Sequence, residues 1–204
     1  MTIKNLPQIR IQYAWLLASV TGEALNKENG DGSPLGSYAD FQAIAKTYTD
    51  WWTPHNDEML QAICNILGLE FRQNIIDVYV SPWFTPISDP MTLGPGFRDE
   101  DNFVNVLIHE LIHRLITDNT SVPYEHNHLN DWKKSFGKDH SQVTLVHIPV
   151  HAVLKKLYLD EVNRPDLLEL DISKSQKYPA YAKAWEYVEQ HDYNEIIKQL
   201  VVKV

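Results

Sequence analysis

The sequence predicts an α+β fold, predominantly helical. Three observations carry that expectation. Apolar residues recur at helical spacing over most of the chain. The β-rich hexapeptide Ile75-Ile-Asp-Val-Tyr-Val80 interrupts this pattern with a strand signature. Prolines at 82, 86, 90 and 95 then hold a central stretch out of regular helix.

Taken in order, a first helix is expected over Gln8–Leu25, on Ile9, Tyr13, Leu16, Leu17 and Val20. The turn formers of Asn29–Gly36 make a loop. A second helix runs over Tyr38–Trp51. A third starts near Pro54, suited to a first turn, and stops at Gly68. The strand Ile75–Val80 follows. The irregular stretch to Gly96 has room for an edge strand near Met91–Leu93. Asn102–Thr117 is apolar almost all round and belongs in a core. Asp99, Glu100 and Asp101 lie at its start, where negative charge suits the helix dipole. Tyr124–Asp131 reads as a polar, His-rich loop. A further helix is expected from about His147–Pro149 to Val162, and two more near Pro179–Gln190 and Tyr193–Val202. The 204 residues are read as one domain: a helical N-terminal part (1–70), a central part (71–165) and C-terminal helices (166–204).

Composition excludes several classes. Formal net charge is −9, and no Lys/Arg cluster offers a basic face, so neither nucleic acid nor an anionic membrane is the expected partner. One cysteine, Cys64, allows no intrachain disulfide, which suits a reducing compartment. The N-terminus has no apolar signal-peptide core, and no run approaches the length of a membrane span. The cytoplasm is the expected location.

The chemistry concentrates in His109-Glu110-Leu111-Ile112-His113. Two histidines four apart share one helix face, one turn apart, so one ion can meet both imidazoles. Glu110 projects about 100° round the helix, beside such an ion rather than on it, where a general base for a zinc-bound water belongs. Burying three polar side chains in an apolar helix is costly unless something satisfies them. Zinc needs a further protein ligand. The candidates downstream are His147 first, then His151, then Glu161, with His126 and His128 as outsiders. His147 and His151 are again four apart. Whichever does not ligate is a candidate for stabilising an oxyanion or hydrogen-bonding the ligand shell. Tyr158, Tyr181, Asp118 and Asn119 are further candidates for these supporting roles. Trp51-Trp52 and Trp83-Phe84 read as core.

The motif His-Glu-x-x-His, with a histidine-bearing helix after it, resembles the zincin superfamily of metallopeptidases, especially its small, prokaryotic, gluzincin-like members. The resemblance spans about a quarter of the chain. It implies a zincin-like domain with an active-site helix, short edge strands, a following ligand-bearing helix and Zn2+ as cofactor. It also implies hydrolysis of a peptide or protein substrate with Glu110 as base, and it makes Ile75–Val80 the edge strand that lines the substrate cleft. Two departures are visible. Arg114-Leu-Ile-Thr-Asp-Asn-Thr-Ser follows His113 where a metzincin would carry its third histidine, and no Asn-Glu-x-x-x-Asp segment is present. Arg114 is a charge where the motif's flanks are usually uncharged, and is expected at a solvent edge. A deformylase would carry an upstream Glu-Gly-Cys, and Cys64 lacks that setting. The competing functions are a non-catalytic, zinc-stabilised binding or regulatory protein, and a zinc amidase acting on small molecules.

Overall fold

The computed structural model describes residues 6–20, 38–82, 85–119 and 127–201, with the side chains of 127–130 and 201 excepted. In chain order the elements are β1 (Gln8–Tyr13), α1 (Tyr38–Trp52), α2 (Asn56–Leu67), β2 (Ile75–Val80), β3 (Ile87–Ser88), β4 (Met91–Leu93) and α3 (Glu100–Asn119). Then come α4 (Asn127–Phe136), α5 (Gln142–Lys156), a π-helical segment (Leu157–Glu161), α6 (Pro165–Ser175), α7 (Pro179–Gln190) and α8 (Tyr193–Val201). The fold is therefore α+β and mostly helical. No described helix is long and apolar enough to cross a membrane.

The described residues form two compact units, one within 7–56 and 73–111, the other within 57–72 and 112–201 together with Leu6. The first holds a four-stranded sheet in the order β1-β2-β4-β3. β1 runs parallel to β2, β2 parallel to β4, and β3 antiparallel to β4. Ile11, Ile76, Val78 and Val80 are buried, and Tyr13 stacks on Phe41 of α1 at 4.8 Å. Tyr48 of α1 stacks on Phe103 at 4.4 Å, and its hydroxyl donates to the Gly94 carbonyl and accepts from the Phe97 N–H. Burying large aromatics with their polar tips satisfied makes this a firm core. Trp52 is buried and donates to Asn56, and Trp51 stacks on Tyr48, so this pair is core as expected. Trp83 and Phe84 lie outside the described residues.

The second unit is helical. α2 ends at Gly68, whose φ of +65° is the left-handed C-terminal stop that glycine adopts without a Cβ clash. α5 is the hub: Leu145, Ile148, Val150, Ala152, Val153 and Leu154 are all fully buried, and α4, α7 and α8 pack against it.

Several expected elements are corrected. Residues 8–13 are a strand, not the start of a helix; helix begins only at 15–20. Ile9, Ile11 and Tyr13 alternate with Gln8, Arg10 and Gln12, a period-two pattern that parallel pairing to β2 realises. β2 and β4 are interior strands, not edges; the edges are β1 and the two-residue β3. The segment from Asn127 is the amphipathic helix α4, not loop. α5 starts at Gln142, well before Pro149. Ser141 caps it by accepting from the Thr144 N–H, and Pro149 sits inside the helix, buried. A buried interior proline loses one backbone hydrogen bond, and the surrounding apolar packing offsets that cost. α6 was not expected at all; Pro165 opens its first turn and Leu167 and Leu168 bury its inner face.

Candidate metal centre

α3 supplies two of the candidate ligands. It is one continuous helix of 20 residues, and the boundary between the compact units falls inside it, after Leu111. The helix itself therefore fixes His109 and Glu110 relative to His113. Phe103, Val104, Leu107, Ile108, Leu111, Ile112 and Leu115 are buried along it, which seats its polar residues in an apolar setting. Asp99 caps its start by accepting from the Asn102 N–H. Arg114 is not at a solvent edge. Its side chain is 12% exposed and it pairs with Asp118 at 3.0 Å, so the charge is neutralised one turn along the helix. That ion pair also accounts for Asp118. Asn119 donates to the Glu70 and Leu115 carbonyls and closes the helix.

α5 supplies the third. His147 Nε2 lies 3.3 Å from His113 Nε2. Two nitrogens held at ~2.0–2.1 Å on one tetrahedral zinc stand about 3.3–3.4 Å apart, so this pair already has the spacing of two ligands on one ion. His147 Nδ1 is 2.7 Å from the Val143 carbonyl. Nδ1 therefore carries the proton and donates it, which leaves the Nε2 lone pair directed at His113. Burial pushes the His113 imidazolium down to about 3, with His147 adding to the effect. Burial also lowers His147. Both rings are neutral at physiological pH, the state in which imidazole binds metal.

His109, His113 and His147 form a group whose donor atoms all lie within 4.8 Å of one another. The three imidazoles fit a zinc ion in number and type, and His113 and His147 fit it in nitrogen spacing. Glu110 is buried, and burial raises its carboxyl to about 7.

His151 sits one turn further along α5 and is fully buried. Its ring stacks on Trp185 of α7 at 4.4 Å and 11°, a place that faces no solvent. Tyr181, half-buried on α7, packs its ring on His147 at 4.0 Å. Tyr158 is fully buried two turns beyond His151, in the π-helical segment. Glu161 ends that segment exposed and belongs to neither donor group. His126 and the side chain of His128 lie outside the described residues.

Sequence reasoning missed Asp171 of α6. It is buried, accepts from the Trp185 indole N–H at 2.9 Å, and forms a second group of donors with His109 and His151. The signal available was an acidic residue on the apolar side of a Pro165-initiated helix, in register with Leu167 and Leu168.

Comparison of the chain with family models, with curated proteins and with solved structures finds no match.

Proposed function

We propose that the protein is a zinc-dependent hydrolase that cleaves peptide bonds, with His109, His113 and His147 holding the metal and Glu110 as the general base. The observation that supports this most directly is the 3.3 Å separation of the His113 and His147 Nε2 atoms, with one turn of helix carrying His109 and Glu110 beside them. When bound, zinc supplies Lewis acidity, making a water acidic and a carbonyl electrophilic. Glu110 takes the proton from the attacking water at its carboxylate and returns it to the departing amine nitrogen. Its raised affinity for a proton suits both steps near neutral pH. The Val143 carbonyl holds the His147 ring in place, and His109 and His147 are buried. A purely structural zinc would need no carboxylate at position 110.

The test is Glu110→Gln, which keeps size and removes the base. Cleavage of a broad peptide library, read by mass spectrometry, is expected to fall ~10²–10⁴-fold while zinc content stays near one per chain. Equal cleavage by the variant removes Glu110 from the mechanism. Zinc-loaded protein that cleaves nothing in that library supports a zinc staple instead.

A further inference from the structure

His147 is flanked by apolar surface within its own helical unit. Val143 lies one turn before it on α5, on the same helix face, and is 43% exposed. Tyr181 of α7 packs its ring on His147 at 4.0 Å, and the Tyr178 ring lies 5.7 Å from that of Tyr181. Tyr178 is 61% exposed. Among the described residues of this unit, the large hydrophobic side chains left exposed are Val143, Leu159 and Tyr178, so two of the three gather round His147. One exposed apolar side chain is ordinary, but a cluster beside a reactive group marks a contact surface.

The backbone holds this surface firmly. Thr144 donates to the Ala180 carbonyl, which ties the first turn of α5 to that of α7. The Tyr178 N–H donates to the Ser175 carbonyl, and the Tyr178 carbonyl accepts from the N–H groups of Tyr181 and Ala182. Neither first turn carries an acidic residue.

We propose that Val143, Tyr178 and Tyr181 form a platform for an aromatic side chain of the substrate, with Tyr178 as the specificity-determining residue. This rests on the hydrolase reading above and adds a substrate class to it: peptides with an aromatic residue close to the bond that is cleaved. The two ring contacts place the Tyr178 ring at most about 10 Å from the His147 ring. An extended chain advances ~3.3–3.6 Å per residue, so a side chain one or two residues from a carbonyl held at His147 reaches Tyr178. Aromatic rings pair offset or edge-on with centroids ~4.5–7 Å apart. Tyr178 and Tyr181 already keep that spacing, and the exposed Tyr178 ring offers the same contact to a third. A lysine or arginine side chain would meet no carboxylate in either first turn.

The experiment compares two probes on the zinc-loaded full chain, alanine hydroxamate and phenylalanine hydroxamate, by calorimetry. Both present the same metal-binding group and differ only in the ring. Wild type is expected to bind the phenylalanine probe ~10-fold more tightly. Tyr178→Ala should bring the ratio close to one, with zinc content and melting temperature unchanged, because the side chain it removes is exposed. Tyr178→Phe keeps the ring and should restore the preference. Val143→Ser should lower it part of the way. Equal affinity of wild type for the two probes overturns the proposal, and so does a preference that survives in Tyr178→Ala. If neither probe binds the zinc-loaded chain, the open metal position fails, and the hydrolase reading falls together with the platform.

Discussion

Helices α3 and α5 carry the same device, two histidines four residues apart, and the two pairs are deployed differently. On α3, both His109 and His113 join one donor group with Glu110 between them. On α5 the pair is divided. His147 joins His113, while His151 goes under Trp185 with Asp171 nearby. Spacing alone does not decide what a histidine pair does. A ring needs a second anchor, and the anchors differ: the Val143 carbonyl for His147, an indole face for His151. Exposure follows the same division, since His147 retains 6% and His151 none.

The largest effect that can break this contrast is loss of metal. His113→Ala and His147→Ala are expected to drop zinc from near one per chain to almost none. His151→Ala should keep most of it, although it opens a cavity against Trp185 and lowers the melting temperature. Elemental analysis after mild purification reads the result. If His151→Ala loses zinc as completely as His147→Ala, the division of the α5 pair is wrong. Chelation of wild type should mimic the ligand variants. At a hundredfold excess of zinc over its Kd, binding contributes ~2.7 kcal/mol, or roughly 5–10 °C of melting temperature for a chain of this size.

The same contrast shows what could be read from residues alone. The α3 pair was legible because His109-Glu110-x-x-His113 is contiguous and the helix around it is apolar. His147 was legible as a leading candidate, since His147 and His151 repeat the spacing. Choosing between them requires knowing what packs on each ring, and Trp185 and Tyr181 lie over thirty residues downstream. Asp171 was invisible for the same reason: its partners Trp185 and Ser175 are brought to it by the packing of α6 on α7. Strands Ile75–Val80 and Met91–Leu93 were found by β-branched and apolar content, but strand order is non-local, so both were expected at an edge and both are interior. β1 was misread because its alternation is only six residues long and an apolar, helix-like run follows directly.

A second, smaller test uses pH on metal-free protein. Glu110 and His113 are neighbours on α3 whose burial acts with opposite sign. The Glu110 carboxyl rises from an ordinary 4.5 to about 7, so the folded chain holds this proton more tightly than the unfolded chain. Its contribution to stability is full below pH 4.5 and is lost as pH rises to about 7. His113 falls from 6.5 to about 3, so the unfolded chain takes this proton more readily. Its contribution is present above pH 6.5 and is lost as pH falls towards 3. Between pH 4.5 and 6.5 the two slopes oppose and partly cancel. Glu110→Gln removes one of them. Relative to wild type, the metal-free variant should therefore gain on the order of 3 kcal/mol between pH 4 and pH 8. Urea denaturation at the two pH values checks this. A difference that does not change with pH would mean that Glu110 is solvated in the metal-free chain and that α3 does not bury it.

The smallest expected effect sharpens the α5 side. Ser141 accepts from the Thr144 N–H at 3.1 Å, and its hydroxyl is 2.9 Å from that of Thr144. Thr144 in turn donates to the Ala180 carbonyl on α7, the helix that carries Tyr181 and Trp185. The cap thus fixes the first turn of α5, and with it the Val143 carbonyl that anchors His147. α3 needs less of such help, because its first ligand is its tenth residue, well clear of its capped end. Ser141→Ala should cost about 1 kcal/mol, the usual worth of an N-cap. That corresponds to roughly 2–4 °C of melting temperature. The cap is on the opposite side of Val143 from His147, so fraying there loosens the ring's anchor rather than the ring. Zinc affinity should consequently weaken, but by far less than in His147→Ala. Calorimetry of metal-free and zinc-loaded Ser141→Ala separates the two effects. Equal losses in both states would place the cap's influence on folding alone and detach the start of α5 from the metal centre.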